Sequence, residues 1–364
     1  MSAPTTSRDE QRPEEQDEQD LEMRETAGLS QGQIVRQRFF RHTGAMVGLV
    51  VFVLVLLLAF TSIGFWGWSG WWDKNFSSRY PVITGGAPTL LLPSWLGGSG
   101  GLWFVAGEHP FGQDQIGRDI FARVMRGTQT SVVVMIVMGF VATVIGLLMG
   151  ALSGFFRGKV DPVLMRFTDL IIIFPTIVVG AILGLAFGAA NPLPLALALG
   201  LLVWPPLARL VRGEFFSLRE REFVDAARVA GASNARIIFK HMIPNAMGVI
   251  IVNTTLLLSQ AILLETTLAY LDFGITEPNV SLGTLISLYE SAFSTRPWLF
   301  WWPGLFIIVI ALCVNFVGDG LRDAFDPRQK KMPSARKMRA AARREVVARQ
   351  GGGGGAPRGP EAGA

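Results

Sequence analysis

The sequence predicts an all-α polytopic membrane protein with six transmembrane helices, both termini cytoplasmic, and a folded cytoplasmic helix-turn-helix loop. Three observations carry that reading. Only 17% of the 364 residues are charged and 50% are hydrophobic, whereas a soluble chain is about a quarter charged. The apolar residues are bunched into runs at 44–65, 130–155, 164–189, 194–211, 246–270 and 299–318, each near the ~20 residues that cross a bilayer as a helix. With the N-terminus inside, most of the 33 Lys and Arg fall in the inner segments, as cytoplasmic loops favour.

Lipid offers no partner for a free N–H or C=O, so the runs must be helices. They are too long and too continuously apolar for the ten-residue dyads of a membrane barrel. Nine of the 10 tryptophans fall at or beyond the expected outer ends, where aromatic belts form. Cys313 is the one cysteine and lies inside the last run, which excludes a disulfide framework and a thiol metal site. His42, His109 and His241 are far apart in sequence, so no metal is expected. The first run follows a long polar segment and lacks a small-residue cleavage pattern after it, so it reads as a retained span.

Residues 1–30 have almost no large apolar side chains and are expected to be disordered. In 31–43, arginines alternate with Ile34, Val35, Phe39 and Phe40, which suits a helix on the inner membrane surface. The membrane domain then runs over 44–327. It contains a long outer loop, 67–127, and a charged inner loop, 212–245. Arg118, Arg123 and Arg126 alternate with apolar residues, and Gly117–Gly127 is expected to lie in the outer interface with its arginine stems snorkelling. Pro175 and Pro205-Pro206 should kink the third and fourth spans. Asp169 is expected to pair with Arg166. The tail 328–364 is basic and glycine-rich and reads as a solvated segment near anionic lipid.

The inner loop has the plainest local code. Glu220–Val229 has no glycine and few β-branched residues, so it should be helical. Gly231 can take the left-handed conformation that ends a helix. Ser233 is a natural N-cap for a second helix from Asn234 to about Met242, which Pro244 should stop. The small residues Ala226, Ala227, Ala230, Gly231 and Ala232 at the bend let another surface approach. A hairpin that only packs on its own bundle fits the same residues.

Polar residues inside spans are candidates for function. In the fifth span, Thr254, Ala261, Glu265 and Leu268 form one helical stripe, and Asn253, Gln260 and Thr267 a neighbouring one. This partly polar face is expected to line a translocation path, although Asn253, Gln260 and Glu265 also suit helix–helix hydrogen bonds or structural pairing. Beyond that span, Leu282, Leu285, Ile286, Tyr289 and Phe293 form an apolar stripe of a short helix against the bundle. Its polar face, Ser287, Glu290 and Ser291, is the candidate docking surface for an extracytoplasmic partner.

Asp225-Ala226-Ala227-x3-Gly231, followed by His241-Met242-Ile243-Pro244, resembles the EAA loop of ABC-importer permeases, with Asp225 in place of Glu and His241 in place of Ile. Lys240-His241-Met242-Ile243-Pro244-Asn245 is similar to the version in dipeptide, oligopeptide and nickel permeases. Gly112–Gly127, Glu265–Gly274 and Asn315–Pro327 are similar to segments of the C-type subunit of those transporters. The resemblance covers roughly 35–327. It implies the type I importer permease fold in a bacterial plasma membrane. Asp225, Ala226, Ala227, Gly231, Ala232, Ser233, Arg236, His241 and Pro244 would then contact an ATPase. The implied partners are a homologous B-type permease, two ABC ATPase subunits, an extracytoplasmic substrate-binding protein and membrane lipid, with no nucleic acid. ATP and Mg would sit on the ATPases, because this chain has no G-x-x-x-x-G-K-[ST] loop and is expected to be non-catalytic. Di- and oligopeptides are the implied substrate class. Nickel chelates and other small peptides are alternatives, and a carrier driven by an ion gradient is a separate reading that leaves the inner loop without a purpose.

Overall fold

A computed structural model describes residues 31–65, 67–91, 95, 105–187 and 191–325. The expected disordered tails, Asp326-Pro327 and the tryptophans Trp66 and Trp103 lie outside the described residues.

Helix α1 (Gln31–Arg41) meets α2 (Thr43–Ser62) at His42. His42 caps α2, its Nδ1 accepting the Ala45 N–H at 3.0 Å, while Nε2 lies 3.2 Å from Asp323 Oδ2. An accepting Nδ1 leaves the ring proton on Nε2, so the neutral ring donates to the carboxylate. The remaining long helices are α3 (Ile120–Phe156), α4 (Val160–Ile173), α5 (Thr176–Phe187), α6 (Pro192–Val203) and α7 (Pro205–Arg219). After them come α8 (Glu222–Val229), α9 (Asn234–Arg236), α10 (Ile243–Tyr270), α11 (Leu282–Tyr289) and α12 (Trp298–Phe325).

Four helices are long and apolar enough to cross a membrane, and the number reaches six when α4 with α5 and α6 with α7 each count as one bent span. The bends are 79° and 44°. They fall at Phe174-Pro175 and Trp204-Pro205, where a proline removes an N–H and its ring crowds the preceding turn. The third and fourth spans are therefore broken helices, and α7 runs on to Arg219, beyond the apolar run that marks it in the sequence.

Helix α3 has 37 residues, about 55 Å at 1.5 Å per residue. Near its C-terminal end it packs parallel to α7 through glycines four residues apart. A Cβ on Gly146 would sit 3.0 Å from Leu207 Cβ, on Gly150 2.7 Å from Val211 Cβ, and on Gly154 2.5 Å from Phe215 Cβ. Small residues at this spacing bring backbones together where lipid supplies no hydrophobic drive to association. Gly48 and Gly320 do the same between α2 and α12, against Phe316 and Ala45.

The N-terminal part of α3 corrects the expectation of an interfacial Gly117–Gly127 helix. Residues 120–127 are the first turns of the continuous helix, and Arg123 is 1% exposed. Its charge is met by Glu277, whose Oε1 accepts from Arg123 Nη2 at 2.9 Å and from Arg118 Nη1 at 2.7 Å. The wholly buried Asp119 caps α3 by accepting the Ala122 N–H at 2.8 Å. It also accepts from Trp72 Nε1 at 3.0 Å and His109 Nδ1 at 2.7 Å, so one carboxylate ties the loop before α3 to the helix. That loop contains an antiparallel strand pair, β1 (Leu90–Leu91) with β2 (Val105–Ala106).

Pro244 does not stop the second loop helix. A π turn, Ile237–Met242, joins α9 to α10, and the Ile243 N–H reaches back to Ile238 O. Pro244 follows at the seam, in the first turn of α10, where its missing donor costs little. Helix α11 buries Leu282, Leu285, Ile286 and Tyr289 as its stripe requires, whereas Phe293 is 49% exposed and packs edge-on against Phe300.

The glycine contact yields a test. Gly150→Leu should destabilise the protein by about 1–3 kcal/mol or prevent folding, because α3 and α7 cannot separate without losing their other contacts. Gly213→Ala, at an α7 glycine whose Cβ would meet nothing within 4 Å, should be neutral or stabilising by up to ~1 kcal/mol. Thermal unfolding in detergent, followed by tryptophan fluorescence, distinguishes the two.

Candidate functional site

Helices α8 and α9 form a knob that follows directly from α7. Val224 is the buried anchor of α8 and packs with Ile237, Ile238 and Met242 of the π turn, Phe215 and Leu218 of α7, and Phe155 of α3. Burying one such valine is worth roughly 1.5–3 kcal/mol, enough to hold an eight-residue helix that would not form alone.

Its end is a complete Schellman motif. The Gly231 N–H bonds Arg228 O and the Ala232 N–H bonds Ala227 O, both at 3.0 Å, and Gly231 has φ 77°. Nothing lies within 4 Å of a Cβ built at Gly231, so this glycine is required by the backbone and not by packing within the chain. Ser233 caps the next helix, its Oγ accepting the Arg236 N–H at 3.4 Å.

The remaining loop residues face outward. Asp225, Ala226, Gly231, Ser233, Arg236 and Pro244 are exposed; Ala227, Ala232 and His241 are half-buried. Asp225 Oδ1 lies 3.1 Å from Arg228 Nη1 on the same helix, with both side chains open to solvent, so the pair holds weakly. The His241 carbonyl accepts from Asn245 Nδ2 at 2.6 Å. Val229 and Phe239 are also exposed, at 90% and 59%, and add an apolar surface that the family-like loop pattern does not include.

Charge fixes the base of the knob. Arg212 on α7 bonds both oxygens of Asp161 on α4 at 2.6 Å, and the Ser153 hydroxyl of α3 donates to the same carboxylate. The Arg212 and Arg157 guanidiniums lie 4.6 and 5.1 Å from the Phe216 ring. Asp169 pairs with Arg209 on α7 at 2.6 Å, which corrects the expected i−3 pairing with Arg166.

The two stripes of α10 separate. Glu265 is wholly buried and accepts from Ser131 Oγ of α3 at 3.0 Å, and the same Ser131 Oγ accepts the Leu282 N–H at 3.1 Å. Thr254 accepts from Thr143 Oγ1 of α3 at 3.2 Å. These two face into the subunit. On the other stripe Asn253 bonds its own helix at Val249 O, and Gln260 and Thr267 are exposed. At the far end, Ser287 donates to Asp272 at 3.0 Å, Glu290 accepts from Tyr270 OH at 2.9 Å, and Ser291 is exposed.

Residues 142–331 match the family described as binding-protein-dependent transport system inner membrane component. Residues 30–70 match the N-terminal TM domain of oligopeptide transport permease C. The chain belongs to this permease family. It is similar to the oligopeptide transport system permease protein OppC of Haemophilus influenzae, at 34% identity over 85% of this chain and 93% of the relative. It is also similar to that of Escherichia coli K12, at 35% over 84% and 94%, and of Mycobacterium tuberculosis H37Rv, at 39% over 62% and 78%. Among solved structures, an inward-facing MetNI methionine ABC transporter aligns at 19% identity and TM-score 0.46, over 55% of this chain and 95% of that one.

The permease is thus a non-catalytic membrane component. Its 142–331 match contains the whole knob, the α7 base and α10. Three features escaped the sequence reading: the Asp161–Arg212 clamp, the Asp169–Arg209 pair and the Arg118/Arg123–Glu277 cluster. Each joins residues far apart in the chain, and no local spacing marks them.

Two outcomes follow for the permease. Gly231→Ala should cost the knob about 1 kcal/mol through its left-handed φ and raise amide exchange across 222–236, while the membrane helices keep their protection. At the far face, the Arg123 hydrogen bond, with that of Arg118, holds the Glu277 carboxyl below its ordinary range. A depressed carboxyl contributes stability above its unfolded value near ~4.3, lost as pH falls through the lower folded value. Melting temperature should therefore drop more steeply below about pH 4 in the native permease than in Glu277→Gln; at half exposure the effect is at most roughly 1 kcal/mol.

Proposed function

We propose that this permease is the C-type subunit of a bacterial ABC importer for di- and oligopeptides, coupled through its knob to separate ATPases. The observation that carries the reading is the knob itself: a capped helix with Val224 buried in the junction of α3, α7 and α10, Phe223 and Ala227 packed beside it, and its other residues exposed. A helix anchored this way moves its attached spans when it is pushed, which is what a coupling element requires. Asp225 exchanges its weak intrahelical partner Arg228 for a basic residue of the ATPase. Ala226, Ala227, Gly231 and Ala232 allow close approach, and Ser233, Arg236, His241 and Pro244 complete the contact and its connection to α10.

In this reading the two ATPases hold ATP and Mg, and a B-type permease completes the membrane pair. The stripe of half-buried Asn253 and exposed Gln260 and Thr267 lines the shared path, whereas Thr254 and Glu265 hold that helix in register against α3. An extracytoplasmic binding protein docks on the face carrying Ser287, Glu290 and Ser291 and delivers peptide. The excess of Lys and Arg around the knob supports a cytoplasmic location for it and for both termini. The relatives are named as oligopeptide transport permeases, which supports peptides over nickel chelates.

Affinity purification of the tagged permease should bring down a second permease and two ATPase chains. In the reconstituted complex, Asp225→Arg and Gly231→Val should each lower peptide uptake at least tenfold while ATP hydrolysis persists and the membrane domain stays folded. Full uptake by both variants, or transport by this chain alone, refutes the coupling role.

A further inference from the structure

Charge within membrane spans is tolerated when paired or in contact with water, and it marks function when it is left accessible. Asp169 on α4 and Arg209 on α7 stand out on this ground. Their ion pair is 2.6 Å long, yet the side chains remain 43% and 51% exposed. The neighbouring Asp161–Arg212 clamp is bidentate, is reinforced by Ser153 and is far less accessible. Arg209 uses Nη2 on Asp169, and the rest of its fork has no protein partner among the described residues. Arg209 precedes Arg212 by three positions on α7, so it sits about 4.5 Å deeper into the membrane domain than the clamp arginine.

The pair also lies at a depth similar to that of the polar stripe of α10. Ile171 of α4, Trp204 just before α7, Ala208 of α7 and Leu257 of α10 belong to one small cluster around Ala142 of α3. Asp169 and Arg209 lie within two residues of its members, while Asn253 and Gln260 lie within about one turn of Leu257. Helices α4, α7 and α10 therefore bring an accessible acid, an accessible base and two amides to one level on the knob side of both proline breaks.

We propose that Asp169 and Arg209 recognise the charged ends of the peptide as it passes, Arg209 taking the C-terminal carboxylate and Asp169 the N-terminal ammonium, one end at a time. This deepens the peptide-importer reading and rests on it. Empty, the two side chains neutralise each other; when a peptide end takes the place of one partner, the side chain it displaces is left to the water of the path, where charge within a span is tolerated. Arginine's planar fork suits a carboxylate in particular. A blocked peptide lacks one of the two ends and should not depend on the side chain that reads it.

The test uses the complete transporter in proteoliposomes and three labelled peptides: a tripeptide, its C-terminal amide and its N-acetyl derivative. Arg209→Gln should lower uptake of the unmodified tripeptide roughly fivefold relative to wild type, with the amide changed by less than about twofold. Asp169→Asn should lower it likewise and spare the N-acetyl peptide. Equal losses for all three peptides, or no loss for any, overturn the proposal, the former marking a structural latch. A second readout places Arg209→Cys in a Cys313→Ala chain. Modification by a membrane-impermeant thiol reagent should be slowed by saturating tripeptide. A cysteine that does not react, or that ignores peptide, marks a lipid-facing or subunit-facing pair and overturns the proposal. If the wild-type complex takes up none of the three peptides, it is the peptide-importer reading that fails, and this control separates that failure from failure of the pair.

Discussion

The backbone-to-backbone approach of α3 and α7 at Gly146, Gly150 and Gly154 is the contact on which the rest of the permease depends. In lipid, helices gain little by burying apolar side chains, because the tails are equally apolar; close packing and polar contacts must hold them. Three successive glycines let the Leu207, Val211 and Phe215 ridge of α7 seat against α3. Helix α7 leads into the knob, and α3 runs unbroken to the Asp119 and Arg123 clusters at the opposite end. In the proposed coupling, a displacement of the knob would be carried by packed backbone along about 55 Å of helix.

Around that rod the charges are sorted by what they must hold. Asp119 and Arg123 are buried, and each has a partner from another segment: Trp72 and His109 for the acid, Glu277 for the base. Breaking such pairs leaves a bare charge at a cost of about 3–5 kcal/mol, so they behave as permanent fastenings. Asp161, gripped by Arg212 and Ser153, fastens α4 to the base of the knob. Asp225–Arg228 is open to solvent, where a pair is worth at most about 1 kcal/mol, and Asp169–Arg209 is left half-uncovered by the rest of the chain. These two can change partners, and they lie where the proposed mechanism needs an exchange: one at the ATPase contact, one near the path.

The first helix and the bend of the knob were legible in the sequence. The helix, its glycine stop and its serine cap are settled by rules acting over three to five residues, and the structure reproduces them, whereas the buried anchor Val224 and the π turn before Pro244 depend on α7 and α10. The broken third and fourth spans were legible too, since proline cannot donate its missing hydrogen bond anywhere. Elsewhere local rules misled. Arginines 118, 123 and 126 at helical spacing look like an interfacial helix as long as Glu277 is out of view, and 154 residues separate it from Arg123. Arg166 looks like the partner of Asp169 until α7 brings Arg209 across.

By itself, then, the sequence determined the all-helical class, the apolar spans and the shape of the knob, because hydrophobic run length, proline chemistry and helix capping act within a turn or two of the chain. Tertiary structure alone decided which charges are buried and which stay open, which stripe of α10 faces out, and that α9 continues through a π turn into α10. Those outcomes depend on which helices touch, and that is set by glycine spacing on one helix matched to a ridge on another, some 60 residues away, which no single segment encodes.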